Sequence, residues 1–63
     1  MKNQIRRRMV LEYNDGRPGH SGVKARVLNV WDIAMEVQFE DRASTTIIYF
    51  HDNAWMDHLK IAA

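Results

Sequence analysis

The sequence has 63 residues, a net charge of +1 at neutral pH and no cysteine, which excludes a disulfide framework and a thiolate metal site. A chain of this length forms a single domain near the lower size limit at which a hydrophobic core alone stabilises a fold. We therefore expect a homo-oligomer or a protein partner that adds buried surface.

The apolar content argues against membrane insertion and secretion. The longest uninterrupted apolar run, residues 47–50, is far too short to span a membrane. The N-terminus is basic but lacks the apolar segment of a signal peptide. We predict a cytoplasmic protein without membrane contact.

Charge is distributed unevenly along the chain. Residues 1–8 contain four bases and no acid, a local charge of +4, whereas residues 9–63 contain five bases and eight acids, a local charge of −3. We interpret residues 1–8 as a basic N-terminal arm and residues 9–63 as one folded domain. The arm fits contact with nucleic-acid phosphates. The alternative is a short basic segment that only keeps the chain soluble or lies on the acidic domain.

Two strands are predicted on either side of a glycine-rich loop. Residues 9–13 are mostly apolar or aromatic, and the loop at 14–22 holds every glycine and the only proline. Its spacing matches no phosphate-binding loop, so we assign it to turn formation. Residues 23–31 alternate in polarity as far as Val27. A bulge near Leu28 or Asn29, or a covered outer face, would explain why the alternation then stops.

Two further strands, 35–40 and 45–51, form the apolar centre of the chain. The first alternates apolar and acidic or amide residues, and the second is rich in β-branched and aromatic residues. We predict a three-residue turn at 32–34 before them and a four-residue loop at 41–44 between them.

The period changes after these strands. Asp52 or Asn53 is a suitable N-cap for one helical turn at 54–59, and residues 60–62 form a last short strand. The sequence thus predicts an all-β fold of about five short antiparallel strands, with one helical turn before the last strand.

Pairing the strands across these turns predicts two faces. Met35 opposes Phe50, Val37 opposes Ile48, and Arg26 opposes Glu40. The predicted core residues on the inner face are Met35, Val37, Phe39, Ile48 and Phe50.

The outer face carries an apolar patch in this register. Its residues, which we predict to bind a partner, are Leu28, Val30, Ile47 and Tyr49. Exposed patches of this kind mark partner surfaces. The alternative is that another part of the chain folds over the patch. A register shift of one residue would exchange the two faces.

The order of elements resembles an SH3-like small barrel, the architecture of Tudor, KOW and related modules. The resemblance runs from about Met9 onward. It rests on Gly22-x-x-Ala25-x-Val27, on residues 37–41 and on the turn at 52–59 that leads into the last strand. It implies a fold and leaves the function open.

One enzyme family, the plasmid-encoded dihydrofolate reductases, also resembles this chain, because its tetramers are built from SH3-like chains. Its active-site strand carries a Val-Gln-Ile-Tyr motif. Residues 46–49 match that motif at Ile48 and Tyr49, with Ile47 in place of the glutamine that the family uses for binding.

No catalytic or metal-binding pattern is evident in the sequence. The histidines His20, His51 and His58 have no zinc-site spacing, and no nucleophile is paired with a base. We predict a non-enzymatic protein with no cofactor and no metal.

Nucleic-acid binding is the alternative function. Its candidate residues are Arg6, Arg7, Arg8, Arg17, Lys24 and Arg26, with Tyr13, Trp31 or Tyr49 as stacking groups. Because the rest of the chain is net acidic, we favour a binding module that acts by protein contact or self-association through the outer apolar patch. A dihydrofolate reductase-like oligomer is the remote alternative.

Overall fold

The computed structural model, which describes residues 2–16 and 22–62, contains one antiparallel sheet. Its five strands lie in the order β4-β3-β2-β1-β5, and the helix α1, Asn53–Met56, precedes the last of them. The strands are β1 Val10–Tyr13, β2 Val23–Val30, β3 Ala34–Phe39, β4 Thr46–Tyr49 and β5 Leu59–Ile61. The predicted all-β fold with one helical turn before the last strand is confirmed.

Strand β1 lies between β2 and β5. Leu11 opposes Ala25 on one side and Ile61 on the other, and it is fully buried. The chain leaves β1 through an Asx turn, in which the Gly16 N–H donates to the side-chain oxygen of Asn14 at 2.8 Å. Gly16 has a φ of +78°, which a residue without a Cβ adopts at little cost.

Strand β2 contains the predicted bulge, at Leu28. Val27 opposes Val37, but Asn29 opposes Glu36, so β3 has no residue opposite Leu28. The extra residue changes the alternation in the second half of the strand. Val30 opposes Met35 there.

The turn between β2 and β3 is one residue shorter than predicted. The Trp31 N–H donates to the Ala34 carbonyl at 2.8 Å, which leaves two residues, 32 and 33, in the turn. The predicted pairing of Arg26 with Glu40 is wrong, because Arg26 opposes Gln38. The Glu40 N–H donates instead to the Lys24 carbonyl at 2.9 Å.

Strands β3 and β4 pair two residues away from the predicted register. Met35 opposes Ile48 instead of Phe50, and Val37 opposes Thr46. The Gln38 side chain stabilises the connecting loop by donating to the Arg42 carbonyl at 2.6 Å. Because the shift is an even number of residues, every side chain of these two strands keeps its predicted face.

Helix α1 begins with the predicted N-cap. The Asp52 side chain accepts a hydrogen bond from the Ala54 N–H at 3.1 Å, which satisfies one of the unpaired N–H groups of the first turn. The helix ends at Met56, earlier than predicted, and Leu59 begins β5.

The core lies on the inner face of the sheet. Four of the five predicted core residues are buried, whereas Phe50 is half-buried and packs against the core. The buried residues of the core cluster are Ile5, Leu11, Ala25, Val27, Met35, Val37, Phe39, Ile48 and Leu59. Ala34 is also buried, but on the outer face opposite Tyr49.

The N-terminal segment begins with a 3₁₀ turn, Lys2–Gln4, and then contacts β2. Ile5 is only 5% exposed and belongs to the core cluster. The Arg8 N–H donates to the Val27 carbonyl at 2.8 Å, and the Val27 N–H donates to the Met9 carbonyl at 2.8 Å. The predicted basic arm therefore contributes one side chain to the core.

Candidate functional site

The outer face of the sheet exposes large apolar side chains near the β2–β3 turn. Trp31, the residue after β2, pairs with Ala34 on β3, which opposes Tyr49 on β4, so these three residues form one row. Ile47 lies on the same face one row further along β4, opposite Glu36. We call Trp31, Ile47 and Tyr49 the outer patch. They are 49%, 45% and 46% exposed, respectively.

Two of the four predicted patch residues, Ile47 and Tyr49, lie on the outer face. The predicted position of Val30 on the outer face is wrong, because the bulge directs it to the inner face, where it packs against the core. Leu28 is the half-buried bulge residue. Trp31 was not predicted as a patch residue, because the predicted three-residue turn at 32–34 would pair it with Met35 on the inner face. A two-residue turn at 32–33 would have directed it outward.

Ile33 extends the apolar surface at the turn. It is 59% exposed, and its carbonyl accepts a hydrogen bond from the Phe50 N–H at 2.9 Å. Ala34 lies between Trp31 and Tyr49 and is 5% exposed. Exposed apolar side chains thus cover the turn and the adjoining part of β4.

A hydrogen-bonded carboxylate borders the outer patch. Glu36 lies opposite Ile47 and accepts from the Asn29 side-chain amide at 2.8 Å and from the Thr45 hydroxyl at 2.8 Å. Both bonds favour the charged form and lower the pKa of Glu36, the bond from Asn29 more strongly. The carboxylate is therefore held in place beside the apolar side chains.

The described basic residues of the nucleic-acid prediction lie in the segment that precedes β1 and along β2. The Arg7 side chain donates to the Leu28 carbonyl at 3.2 Å, and the Arg26 side chain donates to the Arg8 carbonyl at 3.0 Å. Arg6 and Lys24 are exposed. Arg17 lies outside the described residues. Of the predicted stacking groups, Tyr13 is half-buried, whereas Trp31 and Tyr49 belong to the outer patch.

Three aromatic rings from separate elements line a cavity of about 190 Å³. Tyr13 and Trp55 meet edge-on with ring centroids 5.2 Å apart, and Phe39 and Trp55 stack at 5.6 Å. The Arg42 guanidinium lies 4.9 Å from the Phe39 centroid and 3.4 Å from the Asp41 carboxylate. This arrangement was not predicted, because no spacing in the sequence links residues that belong to three separate elements. The chain's own cation already occupies the Phe39 ring face.

The two histidines among the described residues contact aromatic rings. The ring centroids of His58 and Tyr13 lie 5.7 Å apart, and those of His51 and Tyr49 also lie 5.7 Å apart. His20 lies outside the described residues. Within residues 2–16 and 22–62, no three histidine, aspartate or glutamate side chains are grouped closely enough to hold a metal ion.

Comparisons with protein-family models, with curated proteins and with solved structures gave no match for this chain. In the described part of the chain, no helix has the length and apolar character needed to cross a membrane. The function is therefore inferred from the surfaces themselves.

Proposed function

We propose that this chain is a small, non-enzymatic protein-interaction module that self-associates through the outer patch. The observation that carries the proposal is the exposure of Trp31, Ile47 and Tyr49 on one face, with Ile33 beside them at the turn. Burying apolar surface contributes about 25 cal/mol per Å². A chain of this size has little core of its own, so shared burial stabilises the folded state as well as the contact.

We further infer that the sheet is an SH3-like small barrel. The strand order β4-β3-β2-β1-β5, with antiparallel neighbours and a helical turn between β4 and β5, supports this inference. The resemblance concerns the order of elements and leaves the function to be decided by surface residues.

Light scattering on the purified chain tests self-association. The mass of one chain is 7.4 kDa, and we expect a larger mass that falls on dilution. The double variant Ile47→Glu with Tyr49→Ser should be monomeric, because a charge and a polar group replace the apolar contact. Ile61→Glu is the matched control, since Ile61 is a 38% exposed apolar residue on β5. A monomeric wild type, or a double variant with unchanged mass, would contradict the proposal.

Nucleic-acid binding is a second candidate, supported by the position of the arginines. The Arg7 side chain donates to the Leu28 carbonyl of β2, and the Arg26 side chain on β2 donates to the Arg8 carbonyl. Binding to phosphate would weaken steeply as salt rises. The variant Arg6→Gln with Arg7→Gln tests it better than deletion of residues 1–8, which would also remove the buried Ile5. An affinity that is independent of salt, or unchanged in this variant, would exclude the candidate.

The dihydrofolate reductase-like alternative has less support. Its matching segment coincides with β4, Thr46–Tyr49. Ile47 stands where that family uses a glutamine for binding, and its side chain belongs to the outer patch.

A further inference from the structure

We propose that the partner of β4 is β4 of a second copy, added antiparallel so that the two sheets become continuous. This inference rests on the proposed self-association and specifies how the two chains meet. It predicts that backbone hydrogen bonds, as well as the apolar side chains of the outer patch, hold the pair together.

Strand β4 is an edge of the sheet, with β3 as its one neighbouring strand in the described chain. The Phe50 N–H donates to the Ile33 carbonyl, and this bond determines which residues of β4 direct their backbone groups toward β3. Since alternate residues of an antiparallel strand bond to the same neighbour, Thr46 and Ile48 face β3. The backbone groups of Ile47 and the N–H of Tyr49 then point to the open edge.

The Tyr49 carbonyl is used within the chain. It accepts a hydrogen bond from the Asp52 N–H at 3.0 Å as the chain turns into α1. The open edge is therefore short and centred on Ile47.

Nothing in the β4 sequence protects this edge against pairing. Natural edge strands are commonly protected by charged residues, especially lysine, or by proline. Residues 43–50 contain no charged residue and no proline. Two copies can therefore lie side by side without like-charge repulsion.

The other edge strand is a poorer partner for β4. Strand β5 has three residues, and the central one is Lys60, which is exposed. A charge in the middle of a short edge strand opposes addition of another strand. This difference favours a closed β4–β4 pair over a repeating β4–β5 contact, which would build larger assemblies.

The faces of the sheet limit the register of the pair. Odd-numbered β4 residues lie on the outer face, so the two outer patches share a face only if odd residues oppose odd residues. Placing Ile47 opposite Ile47 of the second copy lets these two residues exchange both backbone hydrogen bonds. It also places the N–H of Tyr49 opposite the Thr45 carbonyl of the second copy.

Comparison of Ile47→Pro with Ile47→Ala isolates the backbone contribution. Both variants lose the side chain, but only proline removes the N–H at the open edge. That N–H does not bond to β3, and edge strands accept proline at such positions. By light scattering, we expect Ile47→Pro to be monomeric at concentrations where Ile47→Ala still associates. Equal masses for two folded variants would overturn edge pairing.

Cross-linking tests the register and does not depend on the proline variant folding. The chain has no cysteine of its own. The Cα atoms of a hydrogen-bonded antiparallel pair are about 5.5 Å apart, a distance that a disulfide spans. We expect Ile47→Cys to form a covalent dimer on mild oxidation faster than the control Ile33→Cys. Equal rates, or a wild-type mass above two chains, would overturn the proposed pair.

The two proposals fail in different ways. A monomeric wild type overturns self-association itself. A wild type that associates and loses association in the Ile47→Glu, Tyr49→Ser variant retains the proposed function. Only edge pairing fails if the wild type associates in this way, but Ile47→Pro and Ile47→Ala have equal masses and Ile47→Cys and Ile33→Cys cross-link at equal rates.

Discussion

Glu36 is a hydrogen-bonded carboxylate that lies beside the apolar side chains of the outer patch. Its two carboxylate oxygens accept hydrogen bonds from Asn29 on β2 and from Thr45, the residue before β4. These bonds link three neighbouring segments of the outer face. They also favour the charged form of the carboxylate, so the proposed self-association would use the more apolar rows of that face.

The lowered pKa of Glu36 predicts a contribution to stability that depends on pH. Because the pKa of Glu36 is lower in the folded chain than in the unfolded chain, the contribution is complete above the ordinary pKa of a glutamate. It is lost as the pH falls through the folded value. Urea unfolding at about pH 7 and about pH 3 should show a smaller loss of unfolding free energy for Glu36→Gln than for the wild type.

Asn29→Ala provides the matched control for this effect. It removes the stronger of the two hydrogen bonds while leaving the carboxyl group titratable, so it should also reduce the pH dependence. Parallel losses in the wild type and in Glu36→Gln would show that other carboxyl groups account for the acid sensitivity.

At the scale of the element, the N-terminal segment behaves as part of the fold. Ile5 is buried in the core cluster, although the residues that follow it are exposed arginines. Ile5→Ala should lower the unfolding free energy by about 2–4 kcal/mol, because it leaves a cavity in the core. Gln4→Ala, at an exposed position, should change it by less than about 0.5 kcal/mol. Urea unfolding of both variants measures the difference, and equal values would show that the segment does not pack on the core.

The strands were predictable because the alternation of polarity has a strong physical cause. Residues of β3 alternate between a buried and a solvated face, and so Met35, Val37 and Phe39 could be assigned to the core from sequence. The register of β4 was two residues wrong, yet its faces were right. Loop length is weakly encoded in polar residues such as those at 40–45, whereas the burial of alternate side chains is strongly encoded.

The errors in the predicted site come from two local irregularities of the backbone. The bulge at Leu28 moved Val30 to the inner face, and the two-residue turn left Trp31 on the outer face. A bulge was expected near this position, but the face to which each later side chain points depends on which residue forms the bulge. Ile5 could not be assigned to the core, since a single apolar residue among polar and basic ones has no periodicity.

At the scale of the whole molecule, self-association should couple stability to concentration. If the folded chain pairs and the unfolded chain does not, raising the concentration favours the folded pair. We expect the Tm to rise by about 3–5 °C for each tenfold increase in concentration. Calorimetry or circular dichroism measures this shift. The Ile47→Glu, Tyr49→Ser variant should have a Tm independent of concentration, and a wild type that behaves in the same way would argue against coupled folding and pairing.

The bulge has a consequence for insertions and deletions in this sheet. Leu28 is the residue that β3 leaves unopposed, and the pairs on either side, Val27 with Val37 and Asn29 with Glu36, are already consecutive on β3. Loss of the codon for Leu28 would therefore restore a regular ladder without moving any side chain to the other face. Loss of a codon within β3 would exchange the faces of every residue beyond it. An alignment gap at position 28 is thus the length change that this sheet accommodates most readily.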